Sequence, residues 1–298
     1  MPAQTRPELE AKIAQCPQLR LDELTAGFPQ LHIRNTFGSA RVSLYGAQVL
    51  SYQPTHSCEL LWMSPTAKYQ AGRSIRGGIP LCWPWFGPHP DDPSKPAHGF
   101  ARHHLWQLDH IESDEHATRL ELSLPVPEGA DQAALSLSIG VGKTLQLALR
   151  SDNTGKYPLQ ISAALHSYFA ISDIGDIHIE GLDDTLFRDA VNDDRICKQC
   201  GPIRFHGELD RVYHDTEGDI LIHDPARKHA IRIHKGGSRS TVVWNPWVDK
   251  AARLGDIPAD GYRQMVCVES ANADHNRIAL LPGESHCLYT EISSEASV

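Results

Sequence analysis

Three side chains stand out because ionisable groups sit where the chain is otherwise apolar or stiff. His166 lies inside Ala163-Ala164-Leu165-His166-Ser167-Tyr168-Phe169, Glu269 ends the apolar run Met265-Val266-Cys267-Val268, and His98 sits between Ala97 and Gly99. A carboxylate at the end of a buried strand needs a partner or a raised pKa, because burying it ionised and alone is costly. An imidazole and a carboxyl facing each other in a cleft form an acid/base pair that can give and take protons near neutral pH. The same residues admit a plainer arrangement, with His166 on a backbone carbonyl and Glu269 paired with an arginine.

The elements that must position these groups read as strands. Alternation with a period of two recurs in Leu120–Leu124, Leu135–Ile139, Leu145–Leu149, Leu159–Ser162, Ile177–Glu180, Ile231–His234 and Thr290–Ile292. Such segments fit half-buried strands with one face on a core. Turn residues separate them at Pro125 to Gly129, Asp152 to Gly155 and His234 to Gly237. Many short strands with few helices predict an all-β antiparallel sandwich. The one helical signal is Pro7 to Cys16, with Leu9 and Ile13 four apart. Strand–helix alternation is missing, which argues against a dinucleotide fold, and Gly140-x-Gly142-Lys143-Thr144 lacks the first glycine of a phosphate loop. We expect a peripheral segment over residues 1–24 and a single sandwich domain over 25–298.

Residues 73–102 differ in kind. Arg73 to Pro88 carries Trp83, Trp85 and Phe86 among glycines and prolines, and the stretch closes on His98-Gly99-Phe100-Ala101-Arg102. This composition predicts a long, stiff connection. Its aromatics either line a sugar-sized hollow or cap the end of the core. His103, His104, His110, His116, His229 and His275 have polar neighbours and read as surface groups.

Composition narrows the partners. The 298 residues include 37 acidic and 28 basic side chains, a formal charge of −9, so a nucleic-acid backbone is not the expected ligand. No apolar run is long enough for a membrane helix and no export signal is visible, so a cytoplasmic location is expected. The seven cysteines are then expected as thiols. Cys197-x-x-Cys200 has no second pair to complete a structural zinc site, and no metal or cofactor is expected.

Several motifs together resemble the hexose-6-phosphate mutarotases, the glucose-6-phosphate 1-epimerase branch of the aldose 1-epimerase superfamily. They are Ile75-Arg76-Gly77-Gly78-Ile79-Pro80 with Cys82 to Pro88, Pro96 to Arg102, Leu165 to Phe169, Asp210 to Tyr213, Val243-Trp244-Asn245-Pro246-Trp247 and Val266 to Ala271. The resemblance implies a galactose-mutarotase-like β-sandwich with a sugar site in a groove across one sheet. It also implies Glu269 as general base, His166 as general acid, and His98 as a second active-site histidine. Asp210 would hold sugar hydroxyls, Arg76 and Arg102 would meet a phosphate, and Trp244 would line the site. Gln48 and Ser167 depart mildly from the family pattern.

Such chemistry opens a hemiacetal: a base removes the anomeric hydroxyl proton while an acid protonates the ring oxygen. Glu269 is expected ionised and His166 protonated at the start, on opposite sides of the reacting atoms. Arg76 has an alternative as the partner of Glu269 or Asp210. The expected substrate is a hexose 6-phosphate, glucose 6-phosphate first, bound by a monomer. A mutarotase for free aldoses, a non-catalytic carbohydrate sensor and a histidine-built metal hydrolase are the rivals.

Overall fold

The computed structural model describes residues 4–125 and 133–296, so most of the turn expected at Pro125 to Gly129 lies outside the described residues. Among these residues there are twenty-two strands and two α-helices. None of the helices is long and apolar enough to cross a membrane.

The alternating segments, except Leu159–Ile161, which pairs with Ile278–Leu280 on its own, belong to one eight-stranded antiparallel sheet. Its order is His178–Glu180, Ile220–Asp224, His229–Gly236, Ser285–Ala296, Leu145–Asn153, Ala133–Val141, Thr118–Ser123 and Gln107–Ser113. Leu120, Leu122, Leu137, Ile139, Leu147 and Leu149 all turn to the main core, as the period of two requires. Two strands run further than their turn residues suggested. Asp152 pairs with Ser285 and Gly236 with Tyr289, because the long strand Ser285–Ala296 continues beside both. Gly142-Lys143-Thr144 is a hairpin connection, with Val141 opposite Leu145.

A second sheet carries the rest of the core and the candidate site. Its order is Arg195–Lys198, Leu186–Asp189, Leu209–His214, Ser240–Asn245, Met265–Asn272, Ala163–Leu165 and Leu81–Cys82, and Tyr168–Ala170 also pairs with Met265–Asn272. All eight residues of Met265–Asn272 are buried, which explains an apolar run without alternation. Val266 and Val268 belong to the core shared with the first sheet, whereas Met265 and Cys267 pack on the opposite face. Each such core side chain stabilises the fold by roughly 1.5–3 kcal/mol.

The N-terminal segment is more integrated than expected. The helix Arg6–Ile13 begins where the Glu8 carboxylate accepts from the Thr5 N–H and hydroxyl, both at 2.8 Å. Leu9, Ile13, Cys16 and Leu19 enter the main core, and Leu19–Glu23 pairs with Pro29–Arg34 as the edge of a four-stranded sheet. Residues 73–102 are mostly irregular, with only the strand Leu81–Cys82 and the short 3-10 turn Ala101–His103. The loop aromatics divide between the two expectations. Trp83 is buried and donates to Ser151 Oγ, while Phe86 is half-buried, edge-on to His98.

Candidate active site

Glu269 stands on the face of the second sheet that turns away from the main core. The segments Ala163–Leu165 and Tyr168–Ala170 both pair with Met265–Asn272, in one constant register. That register sets His166, in the gap between them, directly opposite Glu269. The gap is held from its other side by Pro80, whose carbonyl accepts the His166 N–H, and by Gly78, whose carbonyl accepts the Tyr168 N–H. His166 Nδ1 lies 3.3 Å from Glu269 Oε1. Its side chain keeps 11% of its surface exposed and that of Glu269 only 2%. Neither His166 Nδ1 nor Glu269 Oε2 has a hydrogen-bonding partner in good alignment, although both are buried.

Burial dominates the electrostatics. It raises the Glu269 carboxyl well above its usual value, helped by the charge of Asp210 and opposed by Arg102. It lowers the His166 imidazole well below its usual value, helped by His98, Arg102 and Arg76. Burial thus drives both groups toward their uncharged forms. The ion pair expected from the sequence is one proton transfer away.

The other expected residues gather around this pair. His98 lies 6.0 Å from His166, ring to ring, and burial with the charges of Arg102 and Arg76 lowers its pKa to about 3. It is therefore neutral at any ordinary pH. The Gly87 N–H donates to His98 Nδ1, which leaves the proton on Nε2 as a donor. The residue after it must be glycine: Gly99 has φ +73°, and a Cβ there would stand 1.9 Å from the Trp83 carbonyl oxygen. Trp244 meets His166 edge-to-face at 6.0 Å and is the cross-strand neighbour of Asp210. Burial raises the Asp210 pKa, opposed by Lys250, whose Nζ lies 3.3 Å from Asp210 and 2.8 Å from Glu208.

The two arginines differ. Arg76 pairs with neither Glu269 nor Asp210; its Nε donates to Asp256 at 3.1 Å and its Nη1 to the Tyr168 hydroxyl at 2.8 Å. Burial alone would weaken its charge, but Tyr168 and Asp256 outweigh that and raise its pKa. The Gln48 side chain donates to the carbonyls of Ile75 and Gly77 and so fixes Arg76 from both sides. Arg102 has no carboxylate partner among the described residues. Its Nη2 donates to the Ala97 carbonyl at 2.7 Å, and its buried Nε has no partner.

Sequence reasoning missed Tyr168, Asp256, Lys250 and Glu208. The Tyr168 ring stacks on His166 at 4.8 Å and 6° between planes, sharing an apolar cluster with Trp62, Trp244 and the helix Trp247–Leu254. The signal for Lys250 was the Asn245-Pro246-Trp247 turn. Asn245 donates to the carbonyls of Tyr262 and Met265 and accepts from the Trp247 N–H, aiming that helix at the site. Of the histidines read as surface groups, His229 is buried with Nδ1 3.5 Å from Cys58 Sγ, and His103 is half-buried against Ser74.

The large antiparallel sandwich thus carries a buried imidazole–carboxyl pair ringed by aromatics and arginines. The aldose 1-epimerase family profile matches residues 29–293, and the chain belongs to that family. It is a mutarotase, an isomerase of sugar anomers. It is 34% identical over 259 residues to a Salmonella typhimurium protein named "Putative glucose-6-phosphate 1-epimerase", covering 85% of this chain and 84% of that one. It resembles the crystal structure of "a putative mutarotase (YeaD)" from Salmonella typhimurium, with a TM-score of 0.87, 30% identity and 94% of each chain covered. The galactose 1-epimerase of Lactobacillus acidophilus shares the fold at a TM-score of 0.73 and 14% identity, over 94% of this chain and 98% of that one.

Proposed function

We propose that the chain interconverts the α and β anomers of a hexose 6-phosphate, glucose 6-phosphate foremost, with Glu269 and His166 moving the protons. The observation that carries this reading is the buried 3.3 Å contact between His166 Nδ1 and Glu269 Oε1 on the outer face of the second sheet. Ring opening requires the anomeric hydroxyl to lose a proton and the ring oxygen to gain one. Both oxygens are bonded to the anomeric carbon, so two neighbouring groups reach them readily.

Glu269 as carboxylate takes the hydroxyl proton, and His166 as imidazolium gives its own to the ring oxygen. This leaves a carboxylic acid and a neutral imidazole, the charge-free state that burial favours. Rotation about the first carbon–carbon bond and reversal of both transfers give the other anomer. The charged and uncharged forms of the pair hold the same single proton, which the direct contact lets them exchange. His98 donates from Nε2 to a sugar oxygen, Asp210 accepts from sugar hydroxyls, and Trp244 packs on the ring.

Arg102 is the cation we assign to the phosphate, because no carboxylate neutralises it and guanidinium groups meet phosphate oxygens with paired, charge-assisted hydrogen bonds. Arg76, already held by Asp256, contributes field and second contacts. The name of the Salmonella relative supports the same substrate. We place the enzyme in the cytoplasm, because a charged sugar phosphate stays in the compartment that makes it. The test is anomer exchange by NMR on glucose 6-phosphate and on glucose, for parent and Arg102→Ala. The parent prefers the phosphorylated sugar, and the variant loses at least tenfold on it while changing little on glucose. Equal losses on both sugars refute the phosphate contact.

A further inference from the structure

The outer face of the first sheet carries a cluster that the proton-transfer site does not use. His178 and His223 are directly opposite each other on the neighbouring strands His178–Glu180 and Ile220–Asp224. Glu180, two residues along from His178, falls on the same outer face, while Ile179 and Ile222 between them turn into the core. Glu180 Oε2 lies 3.1 Å from His223 Nε2, and Oε1 lies 3.6 Å from His178 Nε2. One ligand atom from each of the three residues lies within 4.8 Å of the others.

We propose that His178, Glu180 and His223 form a binding site for one divalent transition-metal ion of the zinc class. Donors about 2.0–2.2 Å from a tetrahedral centre stand roughly 3.3–3.6 Å apart, and one carboxylate oxygen lies close to each imidazole, so small side-chain rotations bring the three donors onto one ion. Two imidazoles and one carboxylate suit zinc, nickel or copper and not magnesium or calcium, which take oxygen donors. Three protein ligands leave the remaining positions to water. The histidine rings stack almost parallel at 4.6 Å, so metal binding turns both rings to aim their Nε2 lone pairs at one ion. The half-exposed position of both rings leaves room for that rotation. A bound ion would tie the three-residue edge strand His178–Glu180 to its neighbour.

The test is calorimetric titration of the purified full chain with zinc chloride. It compares the parent with His178→Asn, His223→Asn and a Cys197→Ser/Cys200→Ser variant, which removes the exposed thiols. The proposal expects one equivalent bound by the parent and by the cysteine variant, an affinity at least tenfold weaker in each histidine variant, and a zinc-dependent rise in Tm confined to the two binders. Unchanged circular dichroism certifies that the histidine variants are folded. No saturable binding by the parent, binding that survives both histidine substitutions, or binding lost with the cysteines would each overturn it.

Discussion

Replacing Glu269 by glutamine removes a proton acceptor while keeping the shape of the side chain. A positioned acid or base contributes about 10²–10⁴-fold, which at about 1.36 kcal/mol per decade is roughly 2.7–5.4 kcal/mol of barrier. The fold should be spared, because burial pushes this carboxyl toward its neutral form and an amide is neutral too. The penalty is at most an unpaired donor where buried Oε2 now has no partner, so Tm falls by no more than a few degrees. The assay is two-dimensional exchange NMR between the anomeric protons of glucose 6-phosphate, with the buffer rate subtracted. Glu269→Gln is expected to lose at least a hundredfold in kcat with little change in KM. Because the two groups share one proton, adding His166→Asn to the same chain should cost little more. Exchange by Glu269→Gln within threefold of the parent, with the fold intact, refutes the assignment.

Two further predictions concern protonation. The active pair holds one proton, and a second can enter only at His166, whose pKa lies well below the usual value near 6.5. The acid limb of the kcat–pH profile should therefore have its midpoint below 6.5, and a midpoint at or above that value contradicts a lowered imidazole at 166. Away from the site, buried Lys235 is surrounded by the Thr216, Thr241 and Ser238 hydroxyls and the Ser240 carbonyl, and burial lowers its pKa to about 7, opposed by Glu217. Between that value and its unfolded value near 10.4, the unfolded chain binds a proton that the folded chain has released, so this residue makes stability rise with pH. The difference in unfolding free energy between parent and Lys235→Met should shift in the parent's favour by up to about 1.4 kcal/mol per pH unit from 7.5 to 9. A flat difference means that Lys235 is charged in the fold.

The sheets were legible where one face is wet. Leu120-Glu121-Leu122 and Ile231-Arg232-Ile233 alternate because only one side of each meets the core. Strands such as Leu81–Cys82, of two residues, and Leu186–Asp189, whose burial alternates while its residue types do not, with Leu186 exposed and Asp189 buried, offer no period to read. In the site, His166 and Glu269 betrayed themselves as polar groups in apolar runs. Their separation was not readable, because it depends on a strand register that two interrupted segments share. The partner of Arg76 was beyond reach for a similar reason: Asp256 lies 180 residues away in a polar loop, where a carboxylate attracts no notice. His229 misled because its neighbours are polar, yet it pairs across from Asp224 at a sheet position that turns inward.

Consecutive residues of Met265–Asn272 answer to different demands. Val266 and Val268 clamp the two layers together, while Met265 and Cys267 pack with Trp62, Tyr168 and Trp244 on the other face. Neighbouring residues of one strand therefore serve two separate interiors, and a change of size at either parity is felt as repacking on its own side.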